Sequence, residues 1–172
     1  MQATLLSRFI FRSLRCCAAI MVASYAAIAA SQLTPADPDW KEAEAPPPPA
    51  FDISRLVPFD VSVNSTMKWG FDPQAMTIGK DSIVRYVVVA QSPSGVMNAM
   101  YEAIHCAKGE WKTYARYNKD TGWSNVVQPQ WQPFAGSHAH RLARQGVCTG
   151  AAPAQSVREV VQTARQTSER SR

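Results

Sequence analysis

The chain has 172 residues, with 18 Lys and Arg against 13 Asp and Glu and 46% hydrophobic residues, a length that supports one domain. The formal net charge of +5 is uneven: residues 30–140 carry nine Lys and Arg against eleven Asp and Glu, whereas residues 141–172 carry six Arg against two Glu. A nucleic-acid binder needs a dense basic face to neutralise phosphates, and a mildly acidic body with a basic end excludes one.

At the N-terminus, Arg8, Arg12 and Arg15 precede an apolar run from Cys16 to Ala30 that contains Ala27-Ile28-Ala29. A basic region, a short apolar region and an A-x-A site make a secretory signal peptide. Residues 1–29 are read as that peptide, cut after Ala29, with a cut after Ala30 as the alternative. The run of about 15 residues falls short of the roughly 20 that span a bilayer, and no later segment spans one after the signal is removed. Leu14-Arg15 ahead of Cys16 is no lipobox, so no lipid anchor is expected. The mature protein is read as soluble in the periplasm. Removing three Arg and no acid lowers its charge from +5 to +2.

Residues 30–53 read as an extended linker. Pro35, Pro38 and Pro46 to Pro49 favour polyproline structure, and Asp37, Asp39, Glu42 and Glu44 repel one another along it. Trp40 is the exception, an aromatic able to dock back on the domain. Residues 54–148 read as a globular domain rich in β-structure. Phe59 to Val63 alternates as a strand; Asn64-Ser65, Trp69-Gly70 and Asp72-Pro73 are turn-like; Ala75 to Ile78 is a short strand closed by Gly79-Lys80-Asp81. Ile83 to Gln91 is the strongest strand. Ser92-Pro93-Ser94-Gly95 turns it into an antiparallel return from Met97 to Cys106. Glu110 to Tyr117 and Trp123 to Val127 are further strands. On Glu110 to Tyr117, strict alternation puts Trp111, Thr113, Ala115 and Tyr117 on one face and Lys112, Tyr114 and Arg116 on the other. Turns this close leave no room for crossover helices, so the sheet is an antiparallel meander. Ala139, Leu142, Ala143 and Val147 then recur at helical spacing, with Ser137 to cap the start and Gly146 to end it. The expected fold is therefore mainly β (α+β), a meander with one C-terminal helix packed on it. Residues 149–172 are read as a flexible basic tail with helical character, from the capping box Ser156-x-x-Glu159 and the stripe Val157, Val160, Val161, Ala164.

Removal of the signal leaves two cysteines, Cys106 and Cys148. In an oxidising compartment they most simply form one disulfide. It would close a loop worth roughly 3–4 kcal/mol in the chain-entropy account, and it would help a core this small. The competing reading, a metal or catalytic thiol pair, lacks both Cys-x-x-Cys spacing and a compact ligand set.

No cofactor motif is present: the glycines are scattered as turns, and no G-x-S-x-G exists. His138 and His140 could bind a metal only from a strand; at a helix start i and i+2 point apart, and no acid stands near them in the sequence. No metal is expected. Glu102 is the one carboxylate inside a strong strand. If the hairpin centres near Ser94, paired residue numbers sum to 187 or 188, and Arg85 lies opposite or diagonal to Glu102. The bland reading is a structural ion pair; the sharper one is a polar patch of Arg85, Tyr86, Tyr101, Glu102 and Tyr114 that binds a ligand. Trp69, Trp111, Trp123 and Trp131 are core residues or the lining of a glycan- or peptide-binding surface.

The sequence is similar to the cryptic neisserial protein-like family of bacterial envelope proteins. The resemblance rests on Asp39-Trp40-Lys41-Glu42 before the proline run, Lys80 to Tyr86, Ser92-x-Ser94-Gly95-x-x-Asn98-x-x-Tyr101-Glu102-x-Ile104-x-Cys106, Glu110-Trp111-Lys112-x-Tyr114-Ala115 and a closing Leu142…Cys148. It covers Pro38 to Cys148 and departs at Ala103, where relatives are expected to carry Gly. It implies a periplasmic compartment and a small β-rich domain without an assigned biochemical activity, and it supplies no catalytic residues. Two functions remain in play: a non-enzymatic module binding an envelope protein, glycan or peptide, and a small periplasmic hydrolase using Glu102 with Arg85 and Tyr101.

Overall fold

The structure, a computed structural model, describes residues 39–62 and 65–170. The expected signal peptide, its expected cleavage site at Ala29 and the first part of the expected linker lie outside the described residues, as do Val63 and Asn64. The compact unit that begins at Trp40 is built on a seven-stranded antiparallel sheet. Its strands are β1 (Val57–Phe59), β2 (Lys68–Ile78), β3 (Ile83–Gln91), β4 (Met97–His105), β5 (Glu110–Asn118) and β6 (Gly122–Asn125) in sequence order, and β7 (Gln132–Pro133) pairs with the far end of β5. β3 is buried on both faces from Ile83 to Ala90, which is why its β-branched run is nearly continuous.

β2 differs from expectation. The turn-like Trp69-Gly70 and Asp72-Pro73 lie inside one strand. Pairing with β3 jumps from Phe71↔Val88 to Met76↔Tyr86. The intervening residues form a bulge, which accommodates Pro73, a residue with no N–H for the ladder. Asp72 is buried there. It accepts from Arg55 Nη2 at 2.7 Å and from the backbone N–H groups of Asp52 and Gln74 at 2.9 Å each.

One face of the sheet carries the helices. Ser137 caps α1 (His138–Leu142), its hydroxyl accepting from the His140 N–H at 3.1 Å. The chain continues as a wide turn over Ala143–Val147, in which Gly146 adopts φ +130°. Leu142, Ala143 and Val147 join Val84, Tyr86, Val88, Met100 and Ile104 in one core. A small hairpin of β8 (Cys148–Thr149) and β9 (Ala152–Pro153) follows. The stretch expected as a flexible tail is α2, a helix over Val157–Arg170, with Val160 and Ala164 in the same core. Its stripe finds β1, β2 and the wide turn to cover, and that tertiary burial is what a short helix needs. Cys106 and Cys148 are disulfide-bonded, with α-carbons 5.6 Å apart, tying the end of β4 to β8. No helix among the described residues is long and apolar enough to cross a membrane.

The opposite face is covered by the linker. Residues 40–51 form neither helix nor strand, yet they lie across the sheet as a strap. Phe51 packs on Tyr117 and Trp123, and Val87, Val89, Ala99, Tyr101 and Ala115 form a second core under it.

Candidate functional site

The β3–β4 register pairs Tyr86 with Glu102 and Arg85 with Ala103, at the number sum of 188. The expected Arg85–Glu102 pair is therefore absent. Neighbouring residues on a strand point to opposite faces, so Arg85 falls on the strap side and Glu102 on the helix side. Glu102 is fully buried. Its Oε2 accepts from the Tyr86 hydroxyl at 3.0 Å and lies 2.7 Å from His138 Nε2; its Oε1 accepts from the Thr113 hydroxyl at 3.2 Å. Trp69 stacks on the His138 ring at 4.7 Å and Trp111 meets it edge-on at 5.0 Å. Burial, reinforced by the Glu102 charge, pushes the Tyr86 hydroxyl well above its ordinary pKa. The Tyr86 O–H thus stays protonated and available as a donor. His140 turns away and stacks on Phe134, so the two imidazoles share no ligand position.

On the strap side, the Arg85 guanidinium bridges Asp81 with contacts of 2.7 and 3.3 Å and donates to the Ala43 carbonyl at 2.9 Å. Asp81 also accepts from the Ala43 N–H, and its carbonyl accepts from Trp40 Nε1 at 2.8 Å. Gly79 makes room for this pair: a Cβ there would lie 2.2 Å from Asp81 Oδ1 and 3.0 Å from Arg85 Nη1. Burial would raise the Asp81 carboxyl, but Arg85 and the N–H groups of Ala43 and Ile83 outweigh it and hold the pKa below the ordinary value. Further along, Glu42 receives Lys112 Nζ, the Tyr114 hydroxyl at 2.5 Å and Trp131 Nε1 at 3.1 Å. Burial again opposes ionisation, and again the donors win, so Glu42 too is held below its usual value. Trp40 stacks on His105 at 4.3 Å.

The strap and the sheet enclose an open cleft of about 370 Å³. Its walls are Glu44 to Pro48 on the strap, Tyr101 and Tyr114 on the sheet, and Asn125, Val126 and Pro129 beyond β6. The two tyrosine rings lie 5.3 Å apart. They share a face with Ala115 because β5 is bulged: pairing with β4 jumps from Tyr101↔Ala115 to Glu102↔Thr113. The strict alternation expected for β5 fails at that bulge. Trp111 and Thr113 face the helices, Ala115 and Tyr117 the strap with Tyr114, and Arg116 Nη1 reaches Met100 Sδ on the helix side.

Of the residues picked out by sequence, then, Tyr86 and Glu102 meet on one face and Arg85, Tyr101 and Tyr114 gather on the other. Sequence reasoning missed His138, Thr113 and Trp69 around Glu102, and Glu42, Lys112 and Trp131 under the strap. A buried acid in an apolar strand, and a histidine at a helix start with no acid near it, were the available signals for the first group.

The molecule is a disulfide-linked antiparallel meander, with helices on one face and a polyproline strap closing an aromatic cleft on the other. Residues 35–165 match the CNP1-like family, and the chain belongs to it. No curated protein and no solved structure matches it.

Proposed function

We propose that this protein is an exported, periplasmic binding module of the cell envelope that acts without catalysing a reaction. The observation that carries the reading is the cleft in which Tyr101 and Tyr114 face Pro46 to Pro48. Flat aromatic and proline walls with a few polar groups at the rim suit an extended peptide or a short glycan, and the volume falls in the range of small-ligand sites. The buried carboxylate supports the non-enzymatic half. Both oxygens of Glu102 are engaged by side chains of the fold, and the sheet itself separates Glu102 from Arg85 and Tyr101, the partners a hydrolase would have used. The disulfide supports an oxidising compartment.

The test is a titration of the mature protein with peptidoglycan fragments, oligosaccharides and short peptides, followed by NMR. Binding should shift Asn125, Val126 and Tyr114, and Val126→Trp should fill the cleft and abolish the shifts. Turnover of a chromogenic substrate panel, lost in Glu102→Ala, would overturn the reading. Osmotic-shock fractionation with intact mass should place a chain beginning at Ala30 in the periplasm.

A further inference from the structure

Among the described residues, no backbone–backbone hydrogen bond reaches residues 40–51. The strap is held by discrete side-chain bonds, and the densest of them converge on the Glu42 carboxylate. Its Oε1 takes the Tyr114 hydroxyl, and its Oε2 takes Lys112 Nζ and Trp131 Nε1. All three donors belong to the scaffold. Lys112 and Tyr114 project from β5, and Trp131 immediately precedes β7, which pairs with β5 at Trp111↔Gln132. The Lys112 ammonium lies 4.4 Å from the Trp131 ring centre and 5.3 Å from that of Tyr114, with its side chain 8% exposed. An ammonium, a phenol and an indole N–H aimed at one point form a set rich in donors, suited to an anion with two acceptor oxygens. The neighbouring cation, Arg85, is neutralised by Asp81 of the turn between β2 and β3. Among the described residues, the ion pair of Lys112 is with Glu42 of the strap.

We propose that Lys112, Tyr114 and Trp131 are a carboxylate-binding site which the chain fills with its own Glu42, and which takes the carboxylate of an extended peptide when the Glu42 side chain swings out. The proposal rests on the binding-module reading and names the ligand class. Tyr114 belongs both to the cage and to the cleft, whose strap wall begins at Glu44. A peptide lying in the cleft between the prolines and the sheet would therefore place its carboxylate in the cage and its neighbouring residues along Tyr114 and Tyr101. Because Glu42 is tethered, it competes at a millimolar effective concentration, so a free ligand binds the intact protein weakly.

The experiment uses the mature protein with trialanine, as free acid and as C-terminal amide, and reads the Trp131 indole N–H resonance. In Glu42→Ala the free acid should shift that resonance saturably, at least about tenfold more tightly than in the unmutated protein given the loss of the tethered competitor. The amide should not shift it, and Glu42→Ala combined with Lys112→Met should lose the response. Glu42→Gln, which keeps the shape and removes the charge, serves as the second background if the alanine variant fails to fold. A folded variant in which the acid leaves Trp131 unmoved, or in which acid and amide act alike, overturns the proposal. If glycans or peptide amides still shift Asn125 and Val126 in that case, the cleft reading stands and the carboxylate site alone is lost. A Trp131 response that survives Val126→Trp with no cleft shifts removes the cleft instead.

Discussion

Tyr86 and Glu102 stand directly opposite each other on β3 and β4, and the tyrosine hydroxyl donates to the carboxylate at 3.0 Å inside the core. This pair, with Thr113 and His138, joins four elements on the helix side of the sheet: β3, β4, β5 and α1. Truncating Glu102 to Ala strands the Tyr86 hydroxyl in the interior and removes the His138 partner. The expected cost is about 2–4 kcal/mol, and Glu102→Gln, which keeps an acceptor, should cost about 1–2 kcal/mol. Urea unfolding measures both. A double-mutant cycle should show Tyr86 coupled to Glu102 and Arg85 coupled far less, because the sheet lies between them.

Acid should release the strap. Glu42 and Asp81 have folded-state pKa values held below their ordinary ones. Their contribution is therefore fully present above the unfolded carboxylate range, near pH 4, and is lost as pH falls through the lower folded values. The Ala43 amide, which donates to Asp81 Oδ2 at 3.0 Å, reports on it. Its hydrogen-exchange protection should hold at neutral pH and collapse below about pH 4 while the β3 amides stay protected. Protection of Ala43 that persists undiminished to pH 2 contradicts this.

The disulfide closes a loop with a separation of 42 residues. Replacing both cysteines with Ser should lower stability by about 3–4 kcal/mol. The bond joins β4 to the hairpin leading into α2, so its loss should also increase exchange in α2. Denaturant midpoints of the oxidised protein and the double variant give the first number, and amide exchange gives the second.

Gly146 separates two effects that glycines usually combine. Its φ of +130° strains any other residue, and an added Cβ would lie 2.9 Å from Thr163 Cβ and 3.1 Å from the Val160 carbonyl oxygen on α2. Gly95 has φ +86° with nothing within 4 Å of a Cβ. Gly95→Ala should thus cost about 1 kcal/mol from conformation alone. Gly146→Ala should cost roughly 2–4 kcal/mol, because α2 must also move away. Thermal unfolding of the two variants tests the difference.

The meander was legible because its hairpins are marked by local residues. Ser92 to Gly95 fixed the β3–β4 register to within one residue, and the choice between sums of 187 and 188 decided which side chains meet. At 188, a directly opposed partner for Glu102 is Tyr86, and the Arg85 guanidinium goes to the other face. Bulges were not legible. Nothing in the spacing of Trp111 to Tyr117 marks the extra residue that puts Tyr114 and Ala115 on one side, and Asp72-Pro73 reads as a turn until β3 is there to pair around it. The carboxylate partners were hidden for a different reason. Glu42 meets Trp131 across 89 residues, and Glu102 meets His138 across 36; no periodicity spans such intervals. The strap escaped because proline and like charges describe a chain that has no fold of its own, and its order comes from partners far along the sequence: Asp81 just before β3, Arg85 on β3, Lys112 and Tyr114 on β5, and Trp131 before β7.

Glu42 precedes its partner Lys112 by 70 residues and Trp131 by 89. A chain made from its N-terminus therefore produces the strap early but cannot seat it until β5 and the segment after β6 exist. Closure of the strap thus waits on the last strands of the sheet, and a chain cut short before Trp131 would lack one of the three donors that hold Glu42.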